Sequence, residues 1–185
     1  MFRSVLHSTA VASILAVGAT FAHAENPMVG GAPMYAEKNI VENAVNSKDH
    51  TTLVAAVKAA GLVETLQGKG PFTVFAPTND AFGALPTGTV EMLLKPENKD
   101  KLAKVLTCHV VAADAMSSTI TKMIADDGGA HDVKTVGGCI LKARADDGKI
   151  GLTDETGSTA WITIADVKQS NGVIHVINKV LLPKG

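Results

Sequence analysis

Aromatic residues and net charge are both scarce in this chain. Its 185 residues include one Trp, one Tyr and five Phe, and the formal net charge at pH 7 is −1. Few rings are available to stack on bases, and no basic excess exists to attract a phosphate backbone or an anionic membrane. The composition therefore argues against nucleic-acid binding, and the core must be built mainly from Val, Ile, Leu and Ala.

The sequence also lacks the short motifs that carry most catalytic and metal chemistry. It contains no G-x-S-x-G elbow for a nucleophilic serine and no paired-histidine zinc spacing. The acidic pairs at 126–127, 146–147 and 154–155 stand in glycine-rich turns, which predicts solvated loops instead of a calcium site. We predict no catalytic residue, no cofactor and no metal ion, although carboxylates that meet only in three dimensions stay open.

Long apolar runs are absent except at the start of the chain. Arg3 precedes an apolar stretch over residues 11–21, and Ala22 and Ala24 are small residues at the positions that signal peptidase reads. This pattern predicts an exported protein with a signal peptide over residues 1–24 that is removed after Ala24. The alternative is a retained N-terminal anchor, but the run is short for a membrane span, and no membrane insertion is expected.

Cysteine is nearly absent too, with only Cys108 and Cys139. An exported chain meets an oxidising compartment, so an even pair is a candidate disulfide. Two buried free thiols are the alternative, because the sequence does not show whether the side chains meet.

The remaining pattern changes from helical to strand-like along the chain. Residues 25–37 contain two prolines and two glycines without periodicity, and they are predicted to form a flexible leader before one domain over 38–185. Helical periodicity is found near 39–45, 49–60, 78–85, 89–94 and 98–106, and 116–125 suggests only short helical turns. Alternation of period two dominates 133–136, 139–145, 149–153, 159–167 and 173–182, with Asp147 and Gly148 in a hairpin turn. Helices first and antiparallel strands later indicate the α+β class.

Two segments carry a family resemblance. Residues 73–82 (TVFAPTNDAF) form a strand that breaks at a proline and enters a helix, and residues 171–178 (NGVIHVIN) form a turn and a last apolar strand. From about residue 39 to residue 183 the chain resembles the fasciclin (FAS1) domain family, of the single-domain secreted bacterial type. The resemblance implies a β-wedge or sandwich of mainly antiparallel strands flanked by several α-helices. Its structural signature residues are Thr78, Asp80, Phe82, Asn171, Gly172 and His175.

The resemblance also points to candidate partner-binding residues. A tyrosine–histidine adhesive motif of the family falls at Cys108 and His109, next to Val110, with cysteine in place of tyrosine. A second adhesive motif falls at residues 164–168, where the candidates are Asp166, Val167 and Lys168. We expect residues 166–171 to form an exposed loop. His109 and His175 are also interpreted as buried structural histidines, with a proton switch or ligand role as the alternative.

Three classes of function follow from this reading. The first, which we favour, is a secreted or periplasmic adhesion or interaction module that binds envelope, matrix or host-surface partners. These partners would be proteins or polysaccharides, and the module is expected to be a monomer. The alternative is a periplasmic small-ligand or polysaccharide-binding protein without catalysis. The third class is an unrecognised hydrolase, for which no sequence feature argues.

Overall fold

The computed structural model describes residues 26–184, so the predicted signal peptide, residues 1–24, lies outside the described residues. The α-helices are α1 (Ile40–Ala44), α2 (Thr51–Ala60), α3 (Val63–Leu66), α4 (Asn79–Gly83), α5 (Thr89–Leu93), α6 (Lys99–Thr107) and α7 (Ser117–Asp126), with 3-10 turns at Lys48–His50 and Pro96–Asn98. The strands are β1 (Met28–Val29), β2 (Ala32–Pro33), β3 (Phe72–Pro77), β4 (Val110–Val111), β5 (His131–Lys134), β6 (Ile140–Asp146), β7 (Lys149–Thr153), β8 (Thr159–Gln169) and β9 (Gly172–Ile177).

Seven of these strands form one sheet in the order β4-β3-β9-β8-β7-β6-β5, and β1 pairs with β2 separately. Every pair in the large sheet is antiparallel except β3 with β9, which run parallel from Phe72 beside Gly172 to Pro77 beside Ile177. The predicted α+β class, with mainly antiparallel strands flanked by helices, is confirmed.

The two central strands are buried on both faces. Val74 of β3 and Ile174 of β9 belong to a core that also contains the apolar faces of α1 to α6. Their neighbours Phe75 and Ile177 point the other way, into a second core made by α7 and the inner face of β5 to β8. This double burial explains why the sequences of residues 72–77 and 172–177 are almost continuously apolar, whereas buried and exposed side chains alternate at the start of β6.

Local signals account for several element boundaries. Thr78 caps α4, because its hydroxyl oxygen accepts a hydrogen bond from the backbone N–H of Ala81 at 3.2 Å. The predicted hairpin turn is present between β6 and β7, where Asp147 has φ of 46° and Gly148 has φ of 73°. Two consecutive positive φ angles are the geometry of a two-residue hairpin turn, which Asp-Gly sequences favour.

The described part of the predicted flexible leader, residues 26–37, is packed on the domain, and the expectation of a mobile segment is wrong there. Val29 and Met34 are buried in the larger core, where Met34 is 2% exposed. Asn43 holds the segment in place: its Nδ2 donates to the Tyr35 carbonyl at 2.7 Å, and its Oδ1 accepts from the Tyr35 N–H at 3.0 Å. Two isolated apolar residues among glycines and prolines carry no periodicity, so this packing could not be predicted from the sequence pattern.

Two further expectations are corrected. The sequence predicts only short helical turns over residues 116–125, but α7 is a continuous helix of ten residues from Ser117 to Asp126. The sequence also predicts that Asn171 and Gly172 form the turn before the last strand. The structure has Ser170 and Asn171 in the turn, and Gly172 is the first residue of β9, paired with Gln169.

Candidate functional site

The signature residues of the second segment are engaged in holding the fold together. The Asn171 side chain accepts a hydrogen bond from the Ile40 N–H at 3.1 Å and donates to the carbonyls of Leu66 and Gly68 at 2.8 and 3.0 Å. One amide thereby ties the β8–β9 turn to the start of α1 and the end of α3. Any shorter or apolar side chain would leave these partly buried backbone groups without partners, which is costly.

Gly172 permits the close parallel approach of β9 to β3. A Cβ atom at this position would lie 1.9 Å from the Phe72 carbonyl oxygen, and the φ angle of 155° is one that other residues rarely adopt. Only glycine fits here, so its place in the signature is explained by backbone packing.

The signature residues of the first segment are structural as well. Thr78 caps α4, Asp80 lies in its first turn, and Phe82 is buried in the larger core. Asn79 accepts hydrogen bonds from the Thr52 N–H at 3.0 Å and the Thr51 hydroxyl at 3.1 Å. It therefore connects α4 to the N-terminus of α2.

The predicted disulfide is present. Cys108 follows α6 and Cys139 precedes β6, and their Cα atoms are 5.4 Å apart. Both cysteines are buried. The bond links the helical half of the molecule to the hairpin β5–β6, across a sequence separation of 31 residues.

His109 and Val110 lie next to this disulfide, inside the protein, and the expectation that they contact a partner is wrong. His109 is 2% exposed and Val110 is 6% exposed. The Nδ1–H of His109 donates to the Val105 carbonyl at 2.8 Å, and its Nε2 accepts from the Leu181 N–H at 2.9 Å. Both ring nitrogens are satisfied only in the neutral form, and burial lowers the pKa of His109 to about 4.

His175, in the middle of β9, is fully buried and also satisfied as a neutral ring. Its Nδ1 accepts the Asp166 N–H at 3.2 Å, and its Nε2–H donates to the Ala115 carbonyl at 2.8 Å. Burial lowers the pKa of His175, and the ring stacks on Phe75 with 5.7 Å between centroids. The structure thus supports the interpretation of His109 and His175 as structural histidines.

Asp166 caps a helix and does not lie on an exposed loop. It has φ of 60° and lies within the second of two irregularities in the pairing of β8 with β9, between Ile164 and Val167. Its carboxylate accepts hydrogen bonds from the backbone N–H of Ser117, at 2.7 Å, and from the Ser117 hydroxyl, at the first turn of α7. The carboxylate satisfies a free N–H of the helix and faces the positive end of its dipole.

The neighbours of Asp166 differ in exposure. Val167 is 0% exposed and belongs to the larger core, whereas Lys168 is exposed. Residues 166–169 belong to β8, so the predicted exposed loop is confined to the turn residues Ser170 and Asn171. Of the five predicted contact residues, Lys168 is the one whose side chain lies freely at the surface.

One of the acidic pairs is also structural, in contrast to the solvated turn expected. Asp154 is buried, and its two oxygens accept from the backbone N–H groups of Thr156, Ser158 and Leu182 at 2.9, 3.0 and 2.9 Å. Glu155 accepts from the N–H of Lys184 at 2.8 Å, and this bond, with another from Ile140, lowers the pKa of Glu155. These carboxylates fasten the extended C-terminal segment, residues 178–184, to the sheet.

An open groove lies where the large sheet divides. Pairing between β7 and β8 ends at Gly151 and Trp161, although β7 begins two residues earlier, at Lys149. Beyond this point β8 continues with β9 through its bulges, which bend a strand, and leaves the tip of the β6–β7 hairpin unattached on that side. The gap between them has a volume of about 740 Å³.

The groove combines one aromatic ring with polar side chains. Trp161 is half-buried, and its indole lies on Gly151, where an added Cβ would come within 2.9 Å of the ring. Asn178 fixes the backbone of Trp161 with hydrogen bonds of 2.8 and 3.2 Å. The other polar side chains come from α7, from the hairpin tip and from β8, and they are Ser117, Thr121, Asp146, Asp147, Lys149 and Thr163.

The interior offers far less room than this groove. Two apolar cavities beside α1 and α2 have volumes of about 40 and about 30 Å³, whereas small-molecule sites usually have roughly 300 to 1,000 Å³. Within residues 26–184, no three His, Cys, Asp or Glu side chains converge to hold a metal ion. In the same part of the chain, no helix has the length and apolar character needed to cross a bilayer.

The sequence matches the Fasciclin domain over residues 48–183. This chain belongs to the fasciclin domain family. It is 51% identical over 144 residues to Protein sll1483 of Synechocystis sp., which covers 78% of this chain and 73% of that protein. It is 33% identical over 167 residues to the Cell surface glycolipoprotein MPB83 of Mycobacterium bovis, covering 86% of this chain and 68% of that protein.

A solved structure supports the fold of this fasciclin domain. The FAS1 domain pair from the insect cell adhesion molecule Fasciclin I superposes with a TM-score of 0.70 and 15% sequence identity. The match covers 78% of this chain and 51% of the domain pair. At this identity the likeness establishes the fold alone.

Sequence reasoning missed the groove of this fasciclin domain. In the sequence Trp161 is one residue of an alternating strand, and the pattern around Asp146 and Asp147 predicts a solvated turn. One signal was available: the only Trp of the chain stands at an outward position of β8, and it is half-buried in a protein with few aromatics. The divergence of β7 from β8, which creates the groove, has no such signal.

Proposed function

We propose that this fasciclin domain is an exported, non-catalytic interaction module that attaches to a protein or polysaccharide of the cell envelope, the surrounding matrix or a host surface. The relative MPB83 is named as a cell surface glycolipoprotein, and the structural relative comes from a cell adhesion molecule. The N-terminal pattern that ends at Ala24 supports export. The module is expected to act as a monomer.

This proposal rests on a contrast between side chains that stabilise the fold and side chains that line an open groove. The signature residues and the buried histidines are engaged in internal hydrogen bonds and packing, as Asn171 and His175 illustrate. The groove beside Trp161 is instead open and polar, and its walls come from α7, β8 and the β6–β7 hairpin. A rigid scaffold that presents such a surface is suited to recognition, since binding residues need fixed positions and access.

The direct test is attachment of the mature domain, residues 25–185, to envelope fractions of the producing cell. We expect saturable retention of the folded domain, and little retention after its disulfide has been reduced and the chain unfolded. Equal retention of both forms, or none of either, would contradict the proposal. Export has its own test, because intact-mass analysis of the secreted protein should find Glu25 at the N-terminus and not Met1.

The location of the contact surface can be tested at Lys168, the exposed member of the predicted contact residues. Lys168→Ala should weaken attachment if the surface around β8 and the Ser170 turn makes the contact.

The alternative function of a hydrolase has a separate test. A hydrolase would turn over an ester, peptide or glycoside, and one point mutation would abolish that turnover. Such activity in the purified domain would overturn the non-catalytic assignment.

A further inference from the structure

We propose that the groove between β7 and β8 binds a neutral polysaccharide chain, with Trp161 stacked against a sugar ring. The inference rests on the proposed function as an interaction module and names the chemistry of the partner. It is carried by three properties of the groove: a fixed indole, a lining rich in hydrogen-bond acceptors and a small negative charge.

The indole of Trp161 is held in one orientation. It packs on Gly151, the one residue type that leaves room for it, and the backbone hydrogen bonds to Asn178 fix the strand from which it projects. A large ring in a polar groove offers apolar area without the entropy cost of ordering a flexible side chain. Sugar rings have an apolar C–H face bordered by hydroxyl groups, so an indole surrounded by polar groups complements them.

The polar groups of the groove mostly accept hydrogen bonds. The Thr163 hydroxyl donates its proton to the Val176 carbonyl at 3.2 Å, and the Thr121 hydroxyl donates to the Ser117 carbonyl at 2.9 Å. Because their protons are engaged, both hydroxyl oxygens of these lining residues remain available as acceptors. Asp146 and Asp147 add carboxylate oxygens at the exposed hairpin tip. A lining of acceptors calls for a ligand rich in O–H or N–H donors.

The charges of the groove select among such ligands. The charged lining residues are Asp146, Asp147 and Lys149, so the formal charge of the lining is −1, from one positive and two negative groups. A like-charged ligand would be repelled, which disfavours nucleic acids, phosphates and acidic polysaccharides. The hydroxyl groups of a neutral polysaccharide supply donors without that penalty.

An extended peptide is less well suited to the same groove. Adding a strand to a sheet requires a regular edge, but β8 is interrupted here between Ile162 and Ile164 and again between Ile164 and Val167. Bulges of this kind twist an edge away from pairing. The side of β8 that faces the groove is therefore a poor template for a β-strand.

The test compares two arginine substitutions on the same helix. Thr121 and Thr119 are both exposed threonines of α7, but only Thr121 lines the groove. We expect Thr121→Arg to weaken retention on envelope fractions of the producing cell at least tenfold, with Thr119→Arg within twofold of wild type. Unchanged thermal midpoints would show that both variants are folded. Equal retention of the two variants would overturn the groove assignment, although retention by wild type would leave the interaction module standing.

The chemistry of the partner is tested on the same envelope fractions. Periodate, which cleaves the vicinal diols of sugars, should abolish retention of the wild-type domain, whereas protease treatment of the envelope should not. The protease-treated polysaccharide fraction should change the fluorescence of Trp161 saturably, and this signal is specific because the chain contains one Trp. Protease-sensitive and periodate-resistant retention would mean a protein partner and would refute the proposal. Absence of any retention by wild type would remove the proposed function itself.

Discussion

Acid should destabilise this domain through its buried histidines, and His109 allows the size of the effect to be worked out. The neutral ring donates from Nδ1 to Val105 and accepts at Nε2 from the N–H of Leu181. A second proton would place an N–H against the N–H of Leu181, in a site without access to water. The hydrogen bond to the C-terminal segment would be lost, and a charge would be buried without a partner.

The sign of the effect follows from linkage. Burial lowers the pKa of His109 from an ordinary value of 6.5 to about 4 in the folded state. The unfolded chain therefore takes up the proton first, so stability is full above pH 6.5, falls as the pH drops towards 4 and levels off below it. Within that window the loss approaches about 1.4 kcal/mol per pH unit. From pH 7.5 to pH 5, His109 alone should remove about 2 kcal/mol of the free energy of unfolding.

The assay is urea denaturation of the disulfide-intact domain at pH 7.5, 6 and 5. His109→Gln removes the titrating group, so its free energy of unfolding should vary less with pH than that of wild type, by about 2 kcal/mol over the range. The variant will be less stable at pH 7.5, and each protein serves as its own reference. His50 and His175 also have pKa values lowered by burial, and they add to the slope in both proteins. Parallel pH profiles for the two proteins would refute the reasoning.

Three further changes test structural roles by denaturation. Asp166→Ala should cost about 1 to 2 kcal/mol because α7 loses its cap, whereas the exposed Lys168→Ala should stay within about 0.5 kcal/mol; equal effects would contradict the capping role. Gly172→Ala should destabilise the domain by more than about 2 kcal/mol, since its Cβ would overlap a backbone oxygen; an unchanged midpoint would count against that contact. Replacing Cys108 and Cys139 together by Ser should cost about 3 to 4 kcal/mol on the chain-entropy argument, and a thiol count of zero in unreduced wild type is the accompanying check.

The structure could be predicted from the sequence best where the role of a residue depends on its immediate neighbours. Asp147 and Gly148 turn a hairpin by their own backbone preferences, and Thr78 caps a helix three residues away. The family resemblance supplied the arrangement of the elements. Cys108 and Cys139 could be proposed as a pair from their number and the expected compartment alone.

Prediction failed where distant segments decide the outcome. The Asp166 carboxylate accepts a hydrogen bond from Ser117, 49 residues away in the sequence, and no local pattern predicts this contact. The irregular pairing of β8 also changes which residues face inward: Ile162 and Ile164 pack inward before Asp166, and Val167 and Gln169 do so after it. A register change of one residue moves side chains to the other face, so simple alternation could not place Val167 in the core.

The position of β9 has a consequence for how the chain is made. This strand is the last of the described chain, yet it lies between β3 and β8, which the ribosome releases earlier. Until residue 177 has been synthesised, no strand connects β3 with β8, and the edges of these two strands that pair with β9 lack their hydrogen-bond partners. Folding of the complete sheet is thus postponed until β9 has been synthesised, because the non-local pairing cannot form before its last partner exists.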